Sequence, residues 1–194
     1  MQQIALPSLF AAPSADVPHQ TVPLPQSQHQ MHVAVFTGVK NAKEVRSLLI
    51  KGDESVPQMA LINAAPIVDV FQVQMACTKA LLQQDQGTMK TRSLYSEILF
   101  NLCPTTNISD AIRQFGIAES SSTVIAVMLG TEAPSVEKQL IDLVQGEIIE
   151  VNRIPDFTDL KTVNKIYKLG NAVRDHSETL ALVIGAMALK GHLN

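Results

Sequence analysis

Apolar positions recur along this chain with two different periods. His32–Val39, HVAVFTGV, is β-branched, apolar and closed by glycine, which predicts a strand. Thr123–Leu129, TVIAVML, is a continuous apolar run too short for a helix, the mark of a strand buried on both faces. Met59–Asn63 and Glu147–Val151 complete a set of four expected strands. Helical spacing predicts Asn41–Lys51 with Ala42, Val45, Leu48 and Leu49 on one face, and an Asn41/Glu44 pair as a capping box. It predicts a longer helix from Asp69 to about Gln84, Ser135–Gln145 with Val136, Leu140, Leu143 and Val144 inward, and Asp156–Leu169 with Phe157, Leu160, Val163 and Tyr167 inward. The lysines of that last helix, Lys161, Lys165 and Lys168, read as a solvated face.

The middle of the chain, Met89–Ile117, reads as a basic loop and two short helices around a Pro-Asn turn. Ser93 caps the first, whose apolar face is Leu94, Ile98 and Leu102, and Pro104 ends it. Asn107 caps the second, with Asp110 near its positive end. Its face is Ile108, Ala111, Ile112 and Phe115, and Gly116 is expected as a left-handed C-cap.

Ser177–Lys190 is different. From Leu180 to Leu189 no residue is polar. A helix apolar all round needs cover on all sides. Either it is a central core helix, or one side packs at home and the other meets a partner. Ala181, Gly185 and Ala188 form a small-residue groove at i, i+4 and i+7, with Leu180, Ile184 and Met187 as the neighbouring stripe. At about 20 Å it is too short to span a bilayer.

These elements predict one mixed α/β (α+β) domain over 31–194, a small mixed sheet of about four strands covered by six or seven helices. Met1–Gln30 holds five of the ten prolines and six glutamines, and reads as a disordered Pro/Gln-rich tail.

Hydrophobic residues make up 46% of the 194, which supports a core, while aromatics are only 4% and Trp is absent, so that core is aliphatic. A formal net charge of −3 argues against gripping nucleic acid by bulk charge, though not against a local basic patch. Cys77 and Cys103 lack CxxC spacing and read as buried reduced thiols. Residues 1–39 contain no Lys or Arg, so no secretory or transit leader is expected, and the protein is expected in cytoplasm and nucleus, away from membranes. There is no phosphate-binding loop, no GxSxG elbow and no histidine pair at ligand spacing, so neither cofactor nor metal is expected. Glu97 and Asp110 flank the central turn and define the enzymatic alternative, an acid/base pair acting on a small molecule. Lys90, Arg92 and Arg113, with the helix N-termini at Ser93 and Asn107, can hold phosphates; the alternative is a solvated surface.

The string MKTRSL…EILFNL.P..NI..A...FGI, with FTGVKNA at Phe36–Ala42, IVDVFQ at Ile67–Gln72 and KIYKL at Lys165–Leu169, resembles the TPRKB/Cgi family of EKC/KEOPS complex subunits, the PRPK-binding proteins. The likeness runs from about Met31 to the C-terminus, and Met1–Gln30 departs from it, with Val22–Pro25 matching a short family lead-in. The resemblance implies a non-catalytic subunit. Such a subunit binds a small atypical kinase of the PRPK/Bud type and, through it, the threonylcarbamoyl transferase. The complex places threonylcarbamoyladenosine next to the anticodon of tRNAs that read codons starting with A. The resemblance also implies that the tRNA 3′ end lies near the central helix pair, and some relatives carry a telomere role. Kinase docking is expected on the last helix through Leu180, Ala181, Ile184, Gly185, Met187 and Ala188.

Overall fold

The computed structural model describes residues 1–6, 30–53, 56–130, 133–170 and 175–191. Five strands form one sheet: β1 (Gln2–Ala5), β2 (Gln30–Thr37), β3 (Ala60–Asn63), β4 (Thr123–Leu129) and β5 (Glu147–Ile149). The order is β1-β2-β4-β3, and β5 shares the β1 edge of β2, pairing with Val35–Thr37 while β1 pairs with Gln30–Val33. Every pairing is antiparallel. The mixed α/β class is as the sequence predicts, with one strand more than expected and an antiparallel sheet in place of the mixed one.

That extra strand corrects the reading of the N-terminus. Gln2–Ala5 lies on β2 in a ladder, Leu6 is buried, and Gln74 Nε2 of the long helix donates to the Ala5 carbonyl at 2.9 Å. Gln30 belongs to β2 rather than to a tail. The intervening prolines, and Val22–Pro25, lie outside the described residues.

Alternation along β2 and β4 explains why both are apolar throughout. Val33, Val35, Ile125 and Val127 enter the larger core, and Ala34, Phe36, Val124, Ala126 and Met128 enter a second core on the opposite face. The second core is roofed by α1 (Ala42–Lys51) and α5 (Ala133–Leu143), through Ala42, Val45, Leu140 and nearby Val144. The larger core is covered by α2 (Val70–Asp85), α3 (Leu94–Leu102), α4 (Ile108–Phe115), a 3-10 turn at Val151–Phe157, α6 (Leu160–Tyr167) and α7 (His176–Ala188). The sheet is therefore the middle of three layers. The side chain of Val136 lies outside the described residues.

Local chemistry differs from expectation at three places. Asn41 makes no cap bond to α1; its amide donates to the Leu143 carbonyl at 2.9 Å and accepts from Gln145 N at 3.0 Å, tying α1 to the end of α5. The helix expected from Asp156 starts later, because Pro155 lies in the 3-10 turn and Asp159 supplies the cap, accepting from Lys161 N at 3.0 Å. Leu160 is consequently exposed, while Val163 and Tyr167 are buried. Gly116 is extended at φ −70, ψ 161, not left-handed. It bridges to Ile62 of β3, and a Cβ there would meet the Ile112 carbonyl oxygen at 2.6 Å.

Tyr167 binds four helices together. Its hydroxyl donates to the Leu102 carbonyl at 2.6 Å and accepts from Gln72 Nε2 at 2.9 Å, while Gln72 Oε1 accepts from Val68 N at 2.9 Å. Its ring meets Phe115 edge-on at 6.2 Å between centroids. This fixes α3, α2, α6 and α4 against one another and so positions the central helix pair.

Candidate functional site

The caps of the central pair form as the sequence predicts. Ser93 Oγ accepts from Ser96 N at 3.2 Å, and Asn107 Oδ1 accepts from Asp110 N at 3.1 Å. The loop before α3 is held from beneath by Glu97. This carboxylate is fully buried and accepts from Lys90 N at 3.0 Å, Thr91 N at 2.7 Å and Thr91 Oγ1 at 2.6 Å. These donors offset the cost of burying its charge. With the backbone bent back onto Glu97, the Lys90 and Arg92 residues are left exposed.

The two carboxylates of the enzymatic alternative each have partners of their own. Glu97 is spent on the loop, and Asp110 is paired with Arg113 at 2.6 Å on the surface.

An open groove of about 1270 Å³ runs between the α1–β3 connection and the α3–α4 pair. Ser93 and Arg113 line it, together with Arg46, Tyr95, Ile112 and Ile50. Lys90, Arg92 and Asn107 are exposed but do not line it. Arg46 and Ile50 lie on a helix that sequence reasoning read only for its inward face. Ile112 was expected inward with Ala111 and Phe115, yet it is 47% exposed, and Ile50 is 69% exposed. Those two apolar residues at outward helix positions are the signal that marks the groove.

On α7 the two faces separate clearly. Asp175 caps the helix, accepting from Glu178 N at 2.7 Å. Thr179, Val183 and Met187 are buried at i, i+4 and i+8, and Leu180 and Ile184 pack beside them, half-buried, against the larger core. Ala181 and Ala188 face outward with Leu182 and Leu189, which are 43% and 47% exposed, and Gly185 lies half-buried between them. A Cβ added at Gly185 would meet nothing within 4 Å. The helix is thus not covered on every side by the described residues. Met187 belongs to the home face with Leu180 and Ile184 beside it, and Leu182 and Leu189 are outward residues that the small-residue spacing passed over.

Among the described residues no cluster of His, Cys, Asp and Glu is arranged to hold a metal. His32 pairs with the Gly130 carbonyl at 2.7 Å and His176 lies 3.3 Å from Asp69, while His19, His29 and His192 lie outside the described residues. Both cysteines are free and buried. No helix among the described residues is long and apolar enough to cross a membrane.

The apolar stripe that the described residues leave facing out on α7 is the kind of surface that marks interaction sites. Comparison with known proteins agrees. The family described as "Kinase binding protein CGI-121" matches residues 36–191, and the chain belongs to that family. It is 38% identical over 157 residues to the EKC/KEOPS complex subunit TPRKB of Danio rerio, covering 80% of this chain and 88% of the relative. It is 33% identical over 171 residues to the EKC/KEOPS complex subunit CGI121 of Yarrowia lipolytica, covering 86% and 97%. With that of Schizosaccharomyces pombe it shares 30% identity over 167 residues, covering 84% and 94%.

Proposed function

We propose that this chain is a non-catalytic EKC/KEOPS subunit that docks a PRPK/Bud-type kinase on the outward face of α7 and helps hold tRNA for threonylcarbamoyladenosine formation next to the anticodon. It works in cytoplasm and nucleus. The observation that carries the reading is the stripe Ala181, Leu182, Gly185, Ala188 and Leu189, which the described residues leave largely uncovered. Small residues at its middle let a partner element approach closely, and the two leucines supply apolar area. Burying a side chain of that size contributes roughly 1.5–3 kcal/mol, enough for a hot spot.

The groove beside α3 and α4 supports the tRNA half. Arg46 and Arg113 offer charge, Tyr95 offers a ring face for an unstacked base, and Lys90 and Arg92 stand on the adjoining loop. Arg113 and Arg46 are both shared with surface carboxylates, Asp110 at 2.6 Å and Glu119 at 3.6 Å, and exposed pairs of this kind exchange readily for phosphate.

The test is a kinase pull-down with Leu182→Glu and Ala188→Glu, both confirmed folded by circular dichroism. Loss of capture supports the docking face; undiminished capture by both sinks it. For tRNA, Lys90→Glu with Arg92→Glu should weaken binding and lower the slope of log K against log salt by about 0.7 per lost phosphate contact. Unchanged affinity in the folded variant rejects that half.

A further inference from the structure

Just past the last turn of α7, Lys190 turns back onto α3. Its ammonium nitrogen lies 3.0 Å from the centroid of the Phe100 ring and donates to the Phe100 carbonyl, which also accepts from Cys103 N at 3.1 Å. Cys103 closes α3, so the lysine brings a cation to the negative end of that helix. From α2, Lys79 does the same for α7, donating to the Met187 carbonyl at 3.4 Å. One turn before Phe100 stands Glu97, whose buried carboxylate attracts Lys190 and takes the N–H groups of Lys90 and Thr91. Lys190 therefore links the exposed Ala188 and Leu189, which directly precede it, to the helix that shapes the basic loop.

We propose that Lys190 couples the outward stripe of α7 to the basic loop before α3, so that a partner covering Ala188 and Leu189 also steadies Lys90 and Thr91. The inference rests on the kinase-docking reading of α7. Its moving part is the end of α7, which is closed by the Leu189 N–H on the Gly185 carbonyl at 3.0 Å. Helix ends open at low cost in free energy. When this one is docked, Lys190 sits on Phe100. When it frays, the end of α3 loses its cation and Glu97 loses a neighbouring positive charge.

A partner packed on Ala188 and Leu189 binds the docked turn and not the frayed one, so it draws the equilibrium toward the docked state. Phe100 and Glu97 share one face of α3 at i and i+3, and the gain reaches the loop through that single turn. Linkage makes the effect reciprocal: an anion that orders the loop raises the affinity of the stripe for its partner by the same factor. Lys190 is thus a positioning residue, which touches neither the partner's apolar contact nor the loop's ligand.

The test is amide hydrogen exchange of the full chain, alone and with a PRPK/Bud-type kinase, for wild type, Lys190→Met and Lys190→Arg. In the wild type the kinase should slow exchange at Lys90, Thr91 and Cys103 about fivefold or more. Lys190→Met should still capture the kinase and lose that slowing, while Lys190→Arg, which keeps the cation and its donors, should restore it. Capture without slowing in the wild type overturns the coupling and leaves the docking face standing. Equal slowing in Lys190→Met overturns it as well. If Lys190→Met unfolds, Lys190→Gln takes its place: slowing that it loses supports the coupling, and slowing that it keeps overturns it. No capture by the wild type removes the docking reading and the coupling with it.

Discussion

Thr91 Oγ1 donates to Glu97 Oε2 at 2.6 Å, and the same carboxylate takes the backbone N–H groups of Lys90 and Thr91. One buried acid therefore shapes the basic loop from a helix six residues further on. Glu97→Ala would leave the Lys90 and Thr91 N–H groups without this acceptor, while the Thr91 hydroxyl keeps the Ser93 carbonyl at 3.0 Å, and each lost bond to a charged group costs about 1.5–3 kcal/mol. The expected outcome is a fall in unfolding free energy of about 3 kcal/mol or more in urea, with faster amide exchange at Lys90 and Thr91. A loss within experimental error would mean that the loop is held by something else.

Gly116 gives a second, independent test. Its backbone angles are open to any residue, so alanine would be harmless by conformational preference alone. Packing says otherwise, because the new Cβ would meet the Ile112 carbonyl oxygen at 2.6 Å. Overpacking of this kind costs about 1–3 kcal/mol. Gly116→Ala should lower the thermal midpoint, and an unchanged midpoint would show that α4 can shift away from β3 freely.

The contrast between these two residues shows what was legible beforehand. Ser93, Asn107 and Asp69 act as caps because capping is a local matter of one side chain and the next few N–H groups, which the sequence displays. Glu97 and Gly116 are set by what lies across the fold, a folded-back loop and strand β3. Asn41 fails as a cap for the same reason, since Leu143 and Gln145 compete for its amide from about a hundred residues away. The face of α7 followed this rule too. Its uniform apolarity left a core helix and a half-covered one equally open, and only contact with α2 decides that Met187 faces home and Leu182 faces out. The groove residue Arg46 was invisible because α1 was read for its buried stripe alone.

Cys77 sets a pH dependence. Burial pushes its thiol far above the ordinary value of 9.0, so the folded state keeps the proton that the unfolded chain releases. A group whose folded pKa is raised contributes stability below its unfolded pKa and loses it as pH rises from there toward the folded value. Wild-type stability should therefore fall above pH 9.0 relative to Cys77→Ala, by up to about 1.4 kcal/mol per pH unit. Urea midpoints at pH 8, 9 and 10 measure it. Parallel curves for the two proteins would contradict the assignment.

Met187 and Ala188 are neighbours in sequence with opposite fates, and the pair separates folding from surface. Met187 is 5% exposed against the larger core, facing α2, whereas Ala188 points out. Met187→Ala should cost about 2–5 kcal/mol, the usual range for emptying a buried methionine site. Met187→Glu should cost more, because a carboxylate would enter an apolar core. Ala188→Glu should stay within about 0.5 kcal/mol of wild type, as surface changes do. Denaturant unfolding of the three variants checks all three values. If Ala188→Glu proves as damaging as Met187→Glu, then α7 is held by contacts on both sides and the stripe is not a free surface. If Met187→Glu is harmless, the helix rolls about its axis, and the outward face cannot be assigned to particular residues.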